Sequence, residues 1–170
     1  MSEDPETLSL KLTALRDAFD LSFAAPRAEA TADAEALLAV RVAGRAYALR
    51  IGELAGLVPS RRIVPLPAPA PELIGLAGVR GGLVPVYSLG VLLGHGRDAE
   101  RWLALCGGQD LLGLSFEEME DRLQVPRSEQ HASAAENTTP HVREVARWAG
   151  AVRPIVSVAS ILEVLGAGRR

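Results

Sequence analysis

The sequence of 170 residues predicts a mainly β fold that contains two related small subdomains. Short apolar runs separated by turn residues recur along the chain, a spacing typical of small β-barrels rather than of a parallel sheet. A unit of strand, tight turn, strand and short apolar helix stands at residues 73–93, and a similar unit follows at residues 144–162. A repeat of so long a period indicates two related subdomains, with chance similarity between two apolar hairpins as the alternative.

The first 34 residues are predicted to be an amphipathic helix and an Ala-rich linker. Asp4 is a suitable N-cap and Pro5 fits the first turn, while Pro26 ends the helix. One stripe of apolar side chains recurs at steps of three or four, at Leu8, Leu12, Leu15 and Phe19. The stripe either packs on its own domain or forms an arm that binds a partner, unless the segment is disordered. The folded domain is expected to span residues 35–170.

The folded domain is predicted to open with a β-hairpin. Apolar residues alternate at positions 38, 40 and 42, a turn follows at residues 43–45, and the alternation resumes at 47, 49 and 51. This pattern predicts two strands with one buried face. Residues 54–58 form a candidate third strand, and the five prolines between residues 59 and 71 predict an extended connector.

The repeated unit is clearest at residues 73–93. Residues 73–80 and 83–87 are apolar strands, Gly81–Gly82 is the predicted tight turn, and Ser88 is the N-cap of a short helix. Setting Pro85 against Pro154 pairs Ser88 with Ser157 without a gap. The second copy therefore predicts a hairpin that turns near residue 149 and a helix over residues 158–165.

Further strands are predicted between the two copies. Residues 102–106 and 111–116 form two strands joined by a turn, and residues 123–125 form a shorter candidate strand. Residues 95–101 and 127–140 are polar and are predicted to be loops.

Composition limits the partners and the compartment. A net charge of −3 argues against nucleic acid, which proteins usually bind through a basic face. The single cysteine, Cys106, allows no internal disulfide and suits a reducing compartment. The N-terminus lacks the pattern of a secretory signal, and no apolar run is long enough to span a bilayer. We therefore expect a cytoplasmic protein without direct membrane insertion.

No motif predicts catalysis, a metal ion or a cofactor. His95, His131 and His141 lack a second ligand at metal spacing and are expected to be surface histidines. The sequence also lacks a nucleophile motif. The carboxylates of residues 117–121 are interpreted as a solvated edge. A metal-dependent enzyme that uses them with a loop histidine is a second hypothesis, and a nucleic-acid-binding barrel is a third.

Five short motifs follow one another in a distinctive order. They are V-x-G-x-x-Y-A-L at residues 42–49, G-x-x-x-x-R-G at 75–81, V-P-V at 84–86, G-L-x-x-E at 113–117 and P-I-V at 154–156. Their order and spacing resemble those of the CheW-like chemotaxis coupling proteins. The resemblance covers residues 35–165.

The resemblance implies two intertwined SH3-like five-stranded β-barrels and a non-enzymatic adaptor that needs no cofactor. In such proteins one groove receives the cytoplasmic tip of a chemoreceptor. Other surfaces bind the regulatory domain of a CheA-type histidine kinase or another CheW-like protein, so that the adaptor is part of a receptor array. By position, the receptor-binding groove of this chain would contain Leu54, Gly56, Gly75, Val79 and Arg80.

Four positions depart from the family pattern. Gly56 stands where the family commonly has a glutamate that pairs with the arginine at the position of Arg80, and Gly78 stands where an asparagine is often found. Ser88 and Ser157 stand where an aspartate is usual. A buried Arg80 without a partner would cost roughly 3–5 kcal/mol, so we expect it to be either exposed or paired with another carboxylate such as Glu53. The departures leave open an accessory coupler that binds receptors or another coupler without engaging the kinase.

Overall fold

The computed structural model describes residues 33–60, 62–67, 70–108, 110–133 and 139–167. The predicted N-terminal helix, with its stripe of Leu8, Leu12, Leu15 and Phe19, lies outside these ranges. Among the described residues, no helix is long and apolar enough to cross a membrane.

Twelve strands and two α-helices form the described part of the chain. The strands are β1 (Ala34–Val42), β2 (Arg45–Arg50), β3 (Leu54–Pro59), β4 (Ile63–Pro65), β5 (Leu73–Val79), β6 (Gly82–Ser88), β7 (Trp102–Cys106), β8 (Leu112–Phe116), β9 (Glu118–Pro126), β10 (Gln130–Ala132), β11 (Val142–Trp148) and β12 (Ala151–Val156). The α-helices are α1 (Leu89–Leu92) and α2 (Val158–Ala167), and short 3-10 helices span Ile51–Glu53 and Arg127–Glu129.

The strands form two six-stranded sheets that share a plan. The first sheet has the order β10-β11-β12-β2-β1-β9, and the second has the order β3-β7-β8-β6-β5-β4. Read from its other end, the second sheet repeats the order of the first. β4, β5 and β6 take the places of β10, β11 and β12, β8 and β7 take those of β2 and β1, and β3 takes that of β9. Each sheet therefore combines four strands from one half of the chain with two from the other, which confirms the two intertwined subdomains.

Each sheet has one strand more than the five that the resemblance implies. The extra strands are β4 and β10, each of three residues at a sheet edge. β4 lies in the proline-rich segment predicted to be an extended connector, and β10 lies in the segment predicted to be a loop. Segments this short carry no readable alternation, so only pairing with a neighbouring strand defines them.

The hairpin turn of the first repeat lies one residue earlier than predicted. Val79 pairs with Gly82, so Arg80 and Gly81 are the two central residues, with φ angles of 50° and 82°. Two positive φ angles define a type I′ turn, whose twist suits the flanking strands. The turns at Ala149–Gly150 and Ala43–Gly44 have the same form. In all three, glycine occupies the second central position and another residue the first.

The backbone repeats its irregularities as well as its strands. The pairing register shifts between Leu73 and Gly75 in β5, and it shifts at the equivalent place, between Val142 and Glu144, in β11. The predicted N-caps also match: the side-chain oxygen of Ser88 accepts from the amide of Val91 at 3.3 Å, and that of Ser157 accepts from Ser160 at 3.2 Å. Shared register shifts and caps confirm the repeat that the sequence indicates.

The largest hydrophobic cluster joins both sheets to both helices. Its fully buried members include Leu49 of β2, Leu89 of α1, Phe116 of β8 and Ile161 of α2. A smaller cluster lies inside the second sheet and contains Ile74, Ala77, Val79, Val84, Val86, Leu103 and Leu105. Three members of this cluster, Ala77, Val79 and Leu103, also line the cavity described next.

Candidate functional site

A cavity of about 250 Å³ lies within the second sheet and is mainly apolar. Its lining comes from β3, β5, β7 and the β5–β6 turn: Val58, Pro59, Ala77, Gly78, Val79, Arg80 and Leu103. Three strands separate β3 from β5 in the hydrogen-bonding order, yet both strands line this one cavity. The second sheet therefore curves strongly, as expected of a small barrel.

Arg80 is exposed and its guanidinium lies over Gly56. A Cβ atom built on Gly56 would lie 3.1 Å from Nη2 of Arg80 and 3.6 Å from Cδ1 of Leu105. Within the described ranges, no carboxylate forms an ion pair with Arg80. The first of the two expected arrangements is therefore present: the arginine lacks a carboxylate partner and remains in solvent, where the missing pair costs about 0–1 kcal/mol.

Glu53, the carboxylate considered as an alternative partner for Arg80, has a different role. Its Oε2 accepts a hydrogen bond from the backbone amide of Val158, the first residue of α2, at 3.1 Å. The first amides of a helix lack intrahelical acceptors and carry partial positive charge, so a carboxylate is favourable there. The expectation that Glu53 pairs with Arg80 is wrong because the first backbone amide of α2, which has no acceptor within the helix, binds this side chain.

The cavity brings together part of the predicted groove. Val79 and Arg80 line it, and Gly56 lies directly beneath the Arg80 guanidinium. Leu54 is instead partly buried against the main core and pairs with Cys106.

Gly75 also lies outside the cavity lining, in a packing position. A Cβ atom there would be only 2.1 Å from the carbonyl oxygen of Val64, because the backbone of β4 pairs closely with β5 at this position. The absence of a side chain at Gly75 is therefore what allows β4 to pair with β5.

Sequence reasoning missed the part of the lining that comes from other strands. Val58 and Pro59 of β3 and Leu103 of β7 face the cavity, and β3 pairs with β7 over a long separation in sequence. The alternation within each segment predicted the strands but could not show which strands are neighbours. The predicted strands at residues 54–58 and 102–106 were the local signals that bore on this wall.

The carboxylates of residues 117–121 have protein partners. Glu120 forms ion pairs with Arg41 and, at 2.7 Å, with Arg153, while Glu118 lies 3.7 Å from Arg41. Glu117 accepts from the backbone amide of Gly44 at 2.9 Å. The expectation of a merely solvated edge is thus too simple. No group of three or more His, Cys, Asp or Glu side chains suited to a metal ion occurs in the described part of the chain.

Two of the three histidines are less exposed than expected. His95 is hydrogen-bonded through Nε2 to the Tyr47 hydroxyl, and His141 is 3.0 Å from the Ser160 hydroxyl through Nδ1. Burial lowers the pKa of His95 and His141, with Arg45 and Arg143 respectively adding to the effect, and burial raises the pKa of Tyr47. These contacts join one loop to β2 and another to α2, whereas His131 is exposed as predicted.

Cys106 has the properties of an inert core residue. It is fully buried, and burial together with the charge of Glu53 raises the pKa of its thiol to about 12. A thiol that remains protonated at neutral pH is a poor nucleophile and a poor metal ligand.

Comparison with known proteins identifies the family. The chain matches the CheW-like domain family over residues 36–166. Among solved structures, it is similar to the scaffolding protein TtCheW from Thermoanaerobacter tengcongensis, with a TM-score of 0.66 and 16% identity over 74% of this chain and 85% of that one. A search of curated proteins gives no match. The structural likeness shows the fold, and the family match spans well over half of the chain, so this protein belongs to the CheW-like family of chemotaxis coupling proteins.

Proposed function

We propose that this protein is a non-enzymatic adaptor that couples chemoreceptors to a CheA-type histidine kinase through protein–protein contacts. The single observation that carries the proposal is the apolar cavity with an exposed, uncompensated Arg80 at its edge. Arginines, and side chains buried in well-packed pockets, are common among the residues that contribute most of the binding energy at protein interfaces. Membership of the CheW-like family and the description of TtCheW as a scaffolding protein support the same proposal.

The cavity has room for side chains of a protein partner. The cavity beside Arg80 has about 250 Å³, which suits one or two side chains of a docking protein. We therefore infer a receptor-binding groove that includes Gly56, Val79 and Arg80, in a protein that acts in the cytoplasm at receptor arrays.

Co-purification tests the coupling function. The protein, immobilised through a C-terminal tag, is incubated separately with the cytoplasmic tip fragment of a chemoreceptor and with the regulatory domain of the histidine kinase from the same organism. We expect both to be retained, with saturable binding by calorimetry. Failure to retain either one would contradict a coupling function.

An accessory coupler is the second candidate, and Gly56 favours it. The position beside the Arg80 guanidinium lacks the carboxylate that the family commonly provides, so the surface built around that ion pair differs in this chain. An accessory coupler would retain the receptor fragment or another CheW-like protein but not the kinase domain. Equally strong binding to receptor and kinase would exclude it.

A further inference from the structure

A second cavity, which we call the α2 cavity, has a volume of about 400 Å³ and lies where α2 meets the second sheet. Its lining includes Tyr87 at the end of β6, Asp110 in the β7–β8 loop, Leu112 at the start of β8, and Leu162, Leu165 and Gly166 of α2. None of the described residues lines both this cavity and the one beside Arg80. The volume lies within the range of about 300–1,000 Å³ that is usual for small-molecule sites.

The two helices hold equivalent places in the repeat, but the chain continues differently after each. α1 ends at Leu92, and the following loop brings His95 into contact with Tyr47 of β2. The residue of β8 that corresponds to Tyr47 is Leu112, because β2 pairs with β12 in the same register as β8 pairs with β6. α2 instead continues to Ala167, and Leu112 lines the α2 cavity. The space is therefore open where, in the other half of the repeat, a nitrogen-bearing side chain covers the strand.

The charges at the α2 cavity are negative. Asp110 is exposed, and no cation within the described residues forms an ion pair with its carboxylate. Leu165 and Gly166 belong to the last turn of α2, and the last carbonyl groups of a helix lack donors within it and carry partial negative charge. No arginine, lysine or histidine is among the described residues of the lining. A cation is therefore the ligand that this cavity favours.

We infer that the α2 cavity binds a small organic cation with an apolar body. Its charged group, an amidinium, guanidinium or ammonium, lies between the Asp110 carboxylate and the C-terminal end of α2. Its body packs against Tyr87, Leu112 and Leu162, and the attraction between a cation and an aromatic ring adds to the binding. The inference goes beyond the proposed function, because it assigns the adaptor a small ligand in addition to protein partners.

Three probes of nearly the same shape test the charge preference on the full-length protein. Benzamidinium is a cation, benzamide is neutral and benzoate is an anion. Binding is measured by NMR titration of the backbone amides of Gly108 and Gly166, which line the cavity. We expect saturable shifts with benzamidinium, binding of benzamide that is weaker by about fivefold or more, and no shifts with benzoate. Equal binding of benzamidinium and benzamide, or no shift at these glycines, would overturn the inference.

A matched pair of variants locates the charge that the probe contacts. Asp110→Asn should remove most of the preference for benzamidinium over benzamide and leave benzamide binding unchanged. Glu163→Gln is the control, because Glu163 is an exposed carboxylate of α2 that does not line the cavity. This control should retain the preference. An equal loss of preference in both variants would show attraction to the net charge of the protein and would overturn the inference.

A competition experiment separates the small-molecule site from the coupling surfaces. The receptor tip fragment and the kinase regulatory domain are each added to the unmodified protein saturated with benzamidinium. We expect the probe to remain bound in both cases, because the α2 cavity and the cavity beside Arg80 have different linings. Displacement of the probe by either protein would assign the α2 cavity to a protein partner, which would overturn the inference and leave the coupling function intact.

Discussion

Glu53 and Val158 join two segments that are distant in sequence. The Glu53 carboxylate accepts the Val158 amide at 3.1 Å, which ties the 3-10 helix after β2 to the first turn of α2. β2 and β12 also pair in parallel, through Ala48 with Ile155 and Leu49 with Val156. The hydrogen bond therefore reinforces the place where the two halves of the chain interlock.

Removing this cap should destabilise the fold modestly. Glu53→Ala leaves the Val158 amide without its acceptor, and loss of a helix N-terminal acceptor costs about 1 kcal/mol. Glu53→Gln retains an acceptor oxygen and should cost less, through the charge term alone. Urea unfolding of both variants checks the order. Equal stability of Glu53→Ala and the unmodified protein would show that water replaces the carboxylate at no cost.

Gly75 and Gly78 lie three residues apart on β5 and allow a matched pair of alanine substitutions. A Cβ at Gly75 would be 2.1 Å from the Val64 carbonyl oxygen, whereas a Cβ at Gly78 would meet nothing within 4 Å. Gly75→Ala should therefore displace β4 and lower the free energy of unfolding by about 1–3 kcal/mol, as other overpacked sites do. Gly78→Ala should leave it nearly unchanged. Similar unfolding curves for the two variants would contradict the close approach of β4.

The partly buried histidines predict a pH dependence of stability. The folded state lowers the pKa of His95 and His141, so it binds fewer protons than the unfolded chain, whose histidines titrate near 6.5. The contribution of these histidines to the free energy of unfolding should therefore have its full value above that pH and should decrease as the pH falls below it.

Denaturation of the unmodified protein and of a His95→Gln/His141→Gln double variant, at about pH 7.5 and about pH 5.5, measures this dependence. The loss of stability on acidification should be smaller in the double variant. An unchanged loss would assign the pH dependence to other groups.

Cys106 should resist thiol reagents in the folded protein. Its thiol is fully buried and its pKa is raised to about 12, so little thiolate is present at neutral pH. Mass spectrometry after treatment with iodoacetamide should show slow labelling in buffer and complete labelling in denaturant. Rapid labelling of the folded protein would indicate that β7 opens readily.

The sequence predicted features that depend on neighbouring residues. Ser88 and Ser157 could be identified as helix caps because an N-cap acts only within the following turn. The turn at Arg80–Gly81 was placed one residue late because two consecutive glycines allow either position. The pairing of Val79 with Gly82, which decides between them, is a property of the whole strand pair.

Features that depend on distant segments were harder to predict. Gly75 was assigned to the groove from its motif, but the strand that packs closely against it lies ten residues earlier in a proline-rich segment. Glu53 was considered a partner for Arg80, whereas the helix that it caps begins at residue 158. Gly56 and Arg80 were correctly associated only because the family resemblance linked their positions.

Receptor binding by Arg80→Ala, measured together with its melting temperature, tests the central claim most directly. Arg80 is exposed and has no ion pair in the described structure, so the substitution should change the free energy of unfolding by no more than about 0.5 kcal/mol. Binding of the receptor tip fragment should be lost. A large fall in melting temperature with receptor binding retained would show that Arg80 supports the fold and that this cavity is not the docking site.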